Sequence, residues 1–425
     1  MDLLFVHGWS VRSTATYGEL PARLEKELGL TTQHIYLGKY VSFDDSVTME
    51  DLALALDAAL TEKGITEFAC FTHSTGGPLL RHWYLKNTAN RKRLKKLIML
   101  APANHGSALA QLGKGRLSRI KALFEGVQPG QRILDWLELG SEEQWALNLQ
   151  WLEVDAREQG LETYVLTGDT IDAKLYDHLN SYTGEAGGDG VVRVASANMN
   201  YEYVRLEQSI SGELIPVQWR RSAPTPIQIL PLAHGGDRLG IMTSVAKEGD
   251  HPTVQAIERI FKLRNEAQFA QSFQQDENMK LSGRELAMII FRVRDERGEL
   301  LNDYDLYFTA GSEASADALP KGFFVDRQRN SKHPGKLTYF LDHSKIADTP
   351  IGFRIEARPD SGLAFYKPAF IDPTRLEGII RPHETLMVEI VLKRQVDQAC
   401  FQFTSNRAPE KFGRDPIGKR LPEAA

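Results

Sequence analysis

The first 263 residues alternate short apolar runs with longer amphipathic stretches. The apolar runs have the length of buried strands, and the stretches between them repeat hydrophobic positions at the helical spacing. Strands that alternate with helices in this way predict a parallel sheet with helices on both faces. The predicted strands are Leu3–Val6, Gln33–Tyr36, Glu67–Phe71, Lys96–Leu100, Tyr164–Thr167 and Pro226–Leu232, and the predicted helices are Tyr17–Leu28, Met49–Glu62, Pro78–Asn87 and Thr253–Leu263.

Residues 107–158 interrupt this alternation, because they hold several amphipathic helical stretches and no strand pattern. Tryptophans and leucines give these stretches a large apolar surface, which suits a lid over a site and also suits ordinary helices packed on the sheet. The pattern leaves both interpretations open. The stretches are Arg116–Leu123, Ile133–Leu137 and Glu143–Trp151.

The spacing of hydrophobic positions changes in the last third of the chain, where runs typical of β-strands are separated by turns. This change predicts a C-terminal antiparallel β-sandwich over residues 284–405, after a catalytic or binding domain over residues 1–264. Residues 265–283 are polar and Gln-rich and indicate a linker, and residues 406–425 form a polar tail. The predicted strands of the sandwich are Leu286–Val293, Asp305–Thr309, Lys336–Leu341, Gly352–Ala357 and Leu386–Leu392.

Composition narrows the class of protein. The chain has 425 residues, of which 42% are hydrophobic and 25% are charged, and this length is enough for two or three domains. Its formal net charge is −5, so the sequence carries no signature of a polyelectrolyte-binding protein. We therefore expect no nucleic-acid partner.

The sequence also lacks the patterns that are typical of a disulfide, a metal site or a targeting segment. The two cysteines, Cys70 and Cys400, lie far apart in sequence, and Cys70 falls in a predicted buried strand. We therefore expect no structural disulfide and a reducing compartment. Because no cluster of cysteine, histidine and carboxylate has metal-ligand spacing, no metal or other cofactor is expected. The chain begins directly with a predicted core strand, without a basic and apolar leader or a bilayer-spanning run, so we expect a cytoplasmic protein, with export by a leaderless route as the alternative.

The most informative motif is residues 71–77, Phe-Thr-His-Ser-Thr-Gly-Gly. Its serine, Ser74, lies between a predicted buried strand and a predicted helix, with small residues on its downstream side. This is the pattern of a nucleophile elbow, where a tight turn exposes the serine hydroxyl at the top of a sheet. The usual spacing is G-x-S-x-G, and Thr72 stands in place of the first glycine. Taken alone, the segment is equally typical of an ordinary loop.

Further motifs accompany the serine in a fixed order. The first strand runs into His7-Gly8, and the strand that ends at Leu100 is followed by Ala101-Pro102 and then by Asn-His-Gly-Ser at residues 104–107. Together with the elbow, these motifs resemble the α/β-hydrolase superfamily and, within it, the bacterial lipase and lecithin-acyltransferase-like branch. The resemblance covers about the first 265 residues. It implies an α/β-hydrolase fold, in which residues 107–158 would be the helical lid.

A serine nucleophile needs a base that takes its proton and an acid that orients the base. In this superfamily the acid and then the histidine follow the serine along the chain. The preferred acid is Asp189, because glycines on both sides let the backbone turn and direct the carboxylate toward the site. Its segment Asp-Gly-x-Val is similar to the acid loop of bacterial lipases. The rival is Asp169, at the end of a predicted strand, although that residue could simply cap the next segment.

Two histidines are candidates for the base. His234 follows the last predicted strand, from which a loop can reach over the elbow. His251 lies between an aspartate and a proline, a pattern that is explained by the start of a helix. His234 is therefore preferred. His73 and His105 are expected to pack or to form hydrogen bonds near the site.

The oxyanion of an ester under attack requires preorganised N–H donors. One is the amide of Thr75, directly after the nucleophile, and the matching family position supplies Trp9. The resemblance thus implies a serine hydrolase of carboxylic esters, with a lipid or phospholipid ester as substrate because a lid rich in Trp and Leu suits an acyl chain. A small-ester esterase and an acyltransferase are alternatives. A catalytically inactive binding or scaffold protein on the same fold is the alternative from a different class of function.

The predicted sandwich contains no nucleophile motif and no motif that is specific to a known domain. Lipases of this superfamily with an appended sandwich use it to engage lipid surfaces or proteins. By this analogy alone, we expect the C-terminal domain to contact a membrane surface or a partner protein.

Overall fold

The computed structural model describes residues 1–7, 14–36, 46–108, 110, 131–171, 187–263, 267–268, 271, 284–311 and 314–397. The predicted helix Arg116–Leu123, most of the predicted linker and the tail from residue 406 lie outside the described residues. So do Trp9, Cys400 and the last residues of the predicted sandwich, 398–405.

Within the described ranges the strands and helices follow one another closely. The strands are β1 Asp2–His7, β2 Thr32–Tyr36, β3 Phe68–His73, β4 Leu94–Leu100, β5 Glu162–Gly168, β6 Tyr201–Gln208, β7 Leu214–Arg221, β8 Ile227–Leu230, β9 Leu286–Asp295, β10 Tyr304–Ala310, β11 Phe324–Arg329, β12 Lys336–Asp342, β13 Ile351–Ala357, β14 Ala364–Tyr366, β15 Ala369–Phe370, β16 Thr385–Leu392 and β17 Arg394–Val396. The helices are α1 Leu20–Leu28, α2 Met49–Glu62, α3 Gly76–Lys86, α4 Gln131–Leu137, α5 Glu142–Trp151, α6 Val194–Ala197, α7 Pro252–Lys262 and α8 His343–Ile346. Short 3₁₀ turns cover Thr14–Tyr17, Arg91–Arg93 and Pro373–Leu376.

The predicted parallel sheet is present and has six strands in the order β2-β1-β3-β4-β5-β8. Every neighbouring pair in it is parallel. Successive side chains of β1 point to opposite faces and therefore enter two separate hydrophobic cores. Leu4 belongs to the core that contains residues of α2 and α3, and Leu3 to the core that contains residues of α1 and α7. The prediction of helices on both faces is thus confirmed.

Local sequence signals explain where the helices begin and end. A capping box starts α2, because the hydroxyl of Thr48 accepts a hydrogen bond from the Asp51 amide and the Asp51 carboxylate accepts one from the Thr48 amide. Gly29 ends α1 in the left-handed region, at a φ of 65°. These signals give predicted and observed helices nearly the same bounds.

The second group of strands differs from the predicted antiparallel sandwich in two respects. Its larger sheet has the order β11-β12-β9-β16-β6-β7, and the central strand β16 pairs in parallel with both β9 and β6. β16 is buried along its whole length, as is typical of a central parallel strand. Moreover, β6 and β7 come from residues 201–221, inside the segment predicted to be the catalytic domain. The sheet therefore draws on both sides of the predicted boundary at residue 264.

A three-stranded sheet, β10-β13-β15, faces this mixed sheet and completes a β-sandwich. The two sheets share one hydrophobic core. At its centre the ring of Phe291 meets that of Phe353 edge to face, with ring centroids 4.9 Å apart. Phe308 packs against Phe353 in the same way. Aromatic pairs of this geometry stabilise the contact between the sheets beyond the burial of their area.

Helices α4 and α5 form the described part of the predicted helical insertion. They share a core with α3 and with the mixed sheet, and Trp136 and Trp145 are buried in it. Trp145 contacts the ring of Tyr203 in β6. These tryptophans therefore lie in the core shared by the parallel sheet and the mixed sheet. None of the helices in the described ranges is long and apolar enough to cross a membrane.

Candidate active site

The serine elbow has the strained turn that its sequence predicts. Buried strand β3 ends at His73, and Ser74 follows in the left-handed region at a φ of 52°, before α3 begins at Gly76. A non-glycine residue in this region is uncommon and costs free energy, which the surrounding structure must supply. In the α/β-hydrolase fold, such a turn exposes the side chain of the nucleophile.

The two glycines after Ser74 permit the close approach of this turn to its neighbours. A Cβ atom on Gly76 would lie 3.0 Å from the Cβ of Thr72. A Cβ atom on Gly77 would lie 2.8 Å from the Cβ of Pro102. Thr72 is itself fully buried. The departure of Thr72 from the usual glycine is therefore accommodated because Gly76 leaves room for its side chain.

Asp189 and His234 form a buried acid–base pair. The ring Nδ1 of His234 donates a hydrogen bond to Oδ2 of Asp189 at 2.9 Å. The other carboxylate oxygen accepts from the amides of Val191 and Val192, at 2.9 and 2.7 Å. The backbone amide of His234 also donates to the carbonyl of Asp189 at 3.0 Å. With Nδ1 bound to the acid, Nε2 of His234 is the nitrogen available to a serine hydroxyl.

His73 connects the elbow to the base. Its ring Nε2 donates a hydrogen bond to the carbonyl of His234 at 3.1 Å, and the two ring centroids lie 4.5 Å apart. Burial and then the neighbouring His234 hold the pKa of His73 well below its usual value, so its ring is neutral. Since Ser74 is the next residue in the chain, this contact brings the elbow and the base loop together. His73 thus has the packing and hydrogen-bonding role expected from the sequence.

The two rival residues have other hydrogen-bond partners. Asp169 follows β5, where it is buried and accepts a hydrogen bond from the hydroxyl of Thr170. The carboxylate that contacts the His234 ring is that of Asp189. His251 caps α7, because its Nδ1 accepts from the Thr253 amide and its Nε2 bonds the hydroxyl of Ser244. The helix-start interpretation therefore accounts for His251.

Of the two residues predicted to form the oxyanion hole, the structure describes Thr75. Thr75 is the N-cap residue of α3, where backbone amides have no partner within the helix and favour negative charge. Trp9 lies outside the described residues. The strand before it ends at His7, which is fully buried, bonds His34 at 2.8 Å and stacks on Tyr36. Burial lowers the pKa of His7 to about 3, so its ring is neutral, and burial also lowers the pKa of His34.

The Asn-His-Gly-Ser motif joins elements around the elbow helix. Asn104 donates to the carbonyl of Ala197 at 2.7 Å, and His105 is buried with its ring edge to face with that of Tyr201. Burial lowers the pKa of His105 to about 3, which agrees with the predicted packing role. Beside them, the buried guanidinium of Arg81 in α3 bonds the side chain of Asn148 at 2.8 Å.

Some residues around the site have no signature in a single sequence. His34 and Arg81 are examples, because a histidine in the middle of an edge strand or an arginine in an amphipathic helix is unremarkable in a sequence pattern. The described residues contain no group of three or more histidine, cysteine, aspartate or glutamate side chains that could hold a metal ion.

A parallel sheet, a strained serine elbow and a buried Asp–His pair define the class of protein as an α/β-hydrolase of the serine type. No protein-family model and no curated protein sequence matches the chain. The chain does match a solved structure, that of phospholipase PlaB from Legionella pneumophila. The two chains are 44% identical, 99% of each chain is covered, and the TM-score is 0.87. A second structure of that enzyme, in complex with thio-NAD, is 41% identical, with 99% of this chain and 100% of the other covered and a TM-score of 0.86.

The chain therefore belongs to the lipase-like family of α/β-hydrolases, and its similarity to PlaB extends over both the parallel sheet and the sandwich. It is a carboxylic ester hydrolase, as the sequence predicts. The predicted α/β-hydrolase fold with an additional β-sandwich is confirmed at the same time, although the larger sheet of the sandwich is mixed.

Proposed function

We propose that the protein is a phospholipase that cleaves carboxylic esters through Ser74, His234 and Asp189. The observation that carries this proposal is the identity of 44% with a phospholipase over 99% of both chains. The Asp189–His234 hydrogen bond of 2.9 Å and the φ of 52° at Ser74 support the assignment of the residues.

The reaction begins when Nε2 of His234 takes the proton of the Ser74 hydroxyl as Oγ attacks the ester carbonyl. The carboxylate of Asp189 holds the ring in the tautomer that leaves Nε2 free, and it stabilises the imidazolium that forms. The amides of Thr75 and Trp9 donate hydrogen bonds to the carbonyl oxygen, on which negative charge develops.

The tetrahedral intermediate collapses when the ester C–O bond breaks and His234 gives its proton to the departing alcohol oxygen. For a phospholipid substrate, this alcohol is the lysophospholipid, and the acyl group stays on Ser74. A water molecule then gives a proton to His234 and attacks the acyl-enzyme, which releases the fatty acid and restores the serine hydroxyl.

Fatty-acid release from phosphatidylcholine vesicles tests the proposal in wild type and in Ser74→Ala. We expect turnover in wild type and a loss of at least about a thousandfold in the variant. A parallel series of p-nitrophenyl esters separates the substrate classes. Activity that rises with chain length favours a lipid substrate, and activity confined to acetate and butyrate would identify a small-ester esterase.

An acyltransferase and an inactive binding protein would each give a distinct outcome in the same assay. An acyltransferase would pass the acyl group to an added alcohol in preference to water. If wild type released no product from any ester, the catalytically inactive binding protein would be the better interpretation.

We further propose that the sandwich contacts the lipid surface through exposed apolar side chains of the β6–β7 hairpin. Ile210 at its tip is 92% exposed, and Val217 and Trp219 are about half exposed on β7. Co-sedimentation with phosphatidylcholine vesicles tests this contact. We expect Ile210→Ser with Val217→Ser to weaken vesicle binding, while Leu54→Ser, a change of an exposed leucine on α2, leaves it intact. Equal binding by both variants would overturn the proposal.

A further inference from the structure

The loop that carries Asp189 is a small hairpin closed by its own backbone. The amide of Asp189 donates to the carbonyl of Val192 at 3.1 Å, and the amide of Val194 donates to the carbonyl of Gly187 at 3.0 Å. Asp189 itself is fully buried at the turn. Its position relative to His234 therefore depends on what holds the two arms of this hairpin, which we call the acid hairpin (residues 187–194).

The first arm of the acid hairpin lies directly on the mixed sheet. Gly187 has a φ of 103°, and a Cβ atom there would lie 2.8 Å from Cδ1 of Leu286, at the start of β9. The absence of a side chain is what permits this approach.

The second arm is held by Arg193, which reaches two further strands of the same sheet. Its Nη1 lies 3.1 Å from Oδ2 of Asp326 in β11, and its guanidinium carbon lies 3.9 Å from the ring centroid of Phe340 in β12. The side chains of Arg193 and Asp326 are 12% and 20% exposed. An ion pair and a cation–π contact that are shielded in this way are stronger than their exposed counterparts.

The segment directly after the acid hairpin is tied to the mixed sheet as well. The hydroxyl of Thr385, the first residue of β16, donates to the carbonyl of Ala195 at 2.8 Å. The side-chain amide of Asn198 donates to the carbonyl of His383 at 2.7 Å. Contacts from β9, β11, β12 and β16 thus converge on one short segment around the catalytic acid.

We propose that the sandwich takes part in catalysis by holding the acid hairpin, and that Arg193 is a positioning residue that acts through Asp189. The inference rests on the proposed function, because it assigns to Asp189 the orientation of His234. A reacting group that is displaced by about 1 Å can lose up to about a hundredfold in rate even when the fold persists. The sandwich would then affect turnover by a route that is independent of lipid binding.

The variant Arg193→Met tests the proposal, since methionine replaces the apolar stem of the arginine side chain and lacks its charge. Its matched control is Arg292→Met on the same sheet. Arg292 is 19% exposed and pairs with Glu142 at 2.6 Å and Glu389 at 2.8 Å, so it also links the sandwich to the helical insertion, away from the acid hairpin. Both variants are assayed on p-nitrophenyl butyrate in the full chain, with the amount of active enzyme set by titration with an active-serine probe.

We expect Arg193→Met to lower kcat about tenfold and to change KM by less than about twofold, and Arg292→Met to keep kcat within about twofold of wild type. Arg193→Lys restores the charge opposite Asp326 and should recover part of kcat. If Arg193→Met does not fold, Asp326→Asn removes the same ion pair with little change of volume and carries the same expectation.

Equal kcat values for Arg193→Met and Arg292→Met, or a change confined to KM, would overturn the inference. So would a kcat in Arg193→Met that matches wild type. An inactive wild type, or activity that survives Ser74→Ala, would instead contradict the proposed function.

Discussion

Thr72 and Gly76 occupy one small volume on the two sides of the nucleophile. Outside the helix backbone and the adjacent residues, the three heavy atoms nearest to a Cβ on Gly76 all belong to Thr72. The usual elbow motif places small residues at both positions, and this chain places the larger residue first. In this chain, the side chain at position 72 therefore fills the space that a side chain at position 76 would need, and the turn is preserved.

This division predicts a strong coupling between the two positions. Gly76→Ala should destabilise the protein by about 1–3 kcal/mol, because the new methyl group collides with Thr72. The double variant Thr72→Gly with Gly76→Ala should recover at least about half of this loss, although glycine in a strand costs about 0.5–1 kcal/mol. Urea unfolding of wild type, the two single variants and the double variant measures the coupling.

Gly77→Ala is the control for this cycle. Its methyl group would meet Pro102 and the sulfur of Met99, so Thr72→Gly should not rescue it. Additive effects of Thr72→Gly and Gly76→Ala would contradict the shared volume.

The sequence predicts those residues of the candidate site that belong to a motif, and it does not predict the residues that support them. Ser74, Asp189 and His234 are recognisable because a nucleophile elbow, an acid between glycines and a histidine after the last strand each need particular neighbours. The structure brings Asp189 and His234 into contact, and the role of the three residues in catalysis stays a prediction. Arg193 could not be found in this way, because its function depends on Asp326 and Phe340, which are more than a hundred residues away.

At the scale of elements, the parallel sheet is predictable because β1, β2, β3 and β8 are each followed by a helix that packs in a core on one face of the sheet. The mixed sheet is less predictable, because its pairings join distant segments. β7 alternates exposed residues with less exposed ones, as is typical of an edge strand, but it is not among the strands predicted from the sequence. Nothing near it in the sequence indicates that β6, its neighbour, pairs with β16, which begins more than 170 residues later.

The shared sheet predicts that residues 1–264 do not fold as an independent domain. Without β16, strand β6 would expose a row of unpaired backbone groups, and Val204 and Leu206 would lose their buried surroundings. Expression of residues 1–264 should give an insoluble or unlabelled product, when the full chain is soluble and reacts with an active-serine probe. A soluble fragment that reacts like the full chain would show that the sandwich is dispensable.

At the scale of the whole molecule, several buried histidines make stability depend on pH. Burial lowers the pKa of His7 and of His105 to about 3, and it lowers that of His73 as well. The unfolded chain binds protons on these residues near pH 6.5, where the folded protein does not. The free energy of unfolding is therefore fully retained above about pH 6.5 and falls as the pH drops toward 3.

His105→Gln should flatten this dependence. The variant loses packing against Tyr201 and is less stable at pH 7.5, but between pH 7.5 and 5 it should lose about 2 kcal/mol less than wild type. Urea unfolding at both pH values measures the difference. Parallel losses in the two proteins would mean that protonation of His105 does not accompany unfolding.

The central claim is that Ser74 is the nucleophile and that the Asp189–His234 pair activates it. The most direct measurement is the rate and site of labelling by a fluorophosphonate, followed by mass spectrometry of the full chain and its peptides. We predict one adduct per chain, located on Ser74, that is absent in Ser74→Ala and forms at least about a thousandfold more slowly in His234→Ala. An adduct on another residue, or labelling of His234→Ala at the wild-type rate, would contradict the assignment.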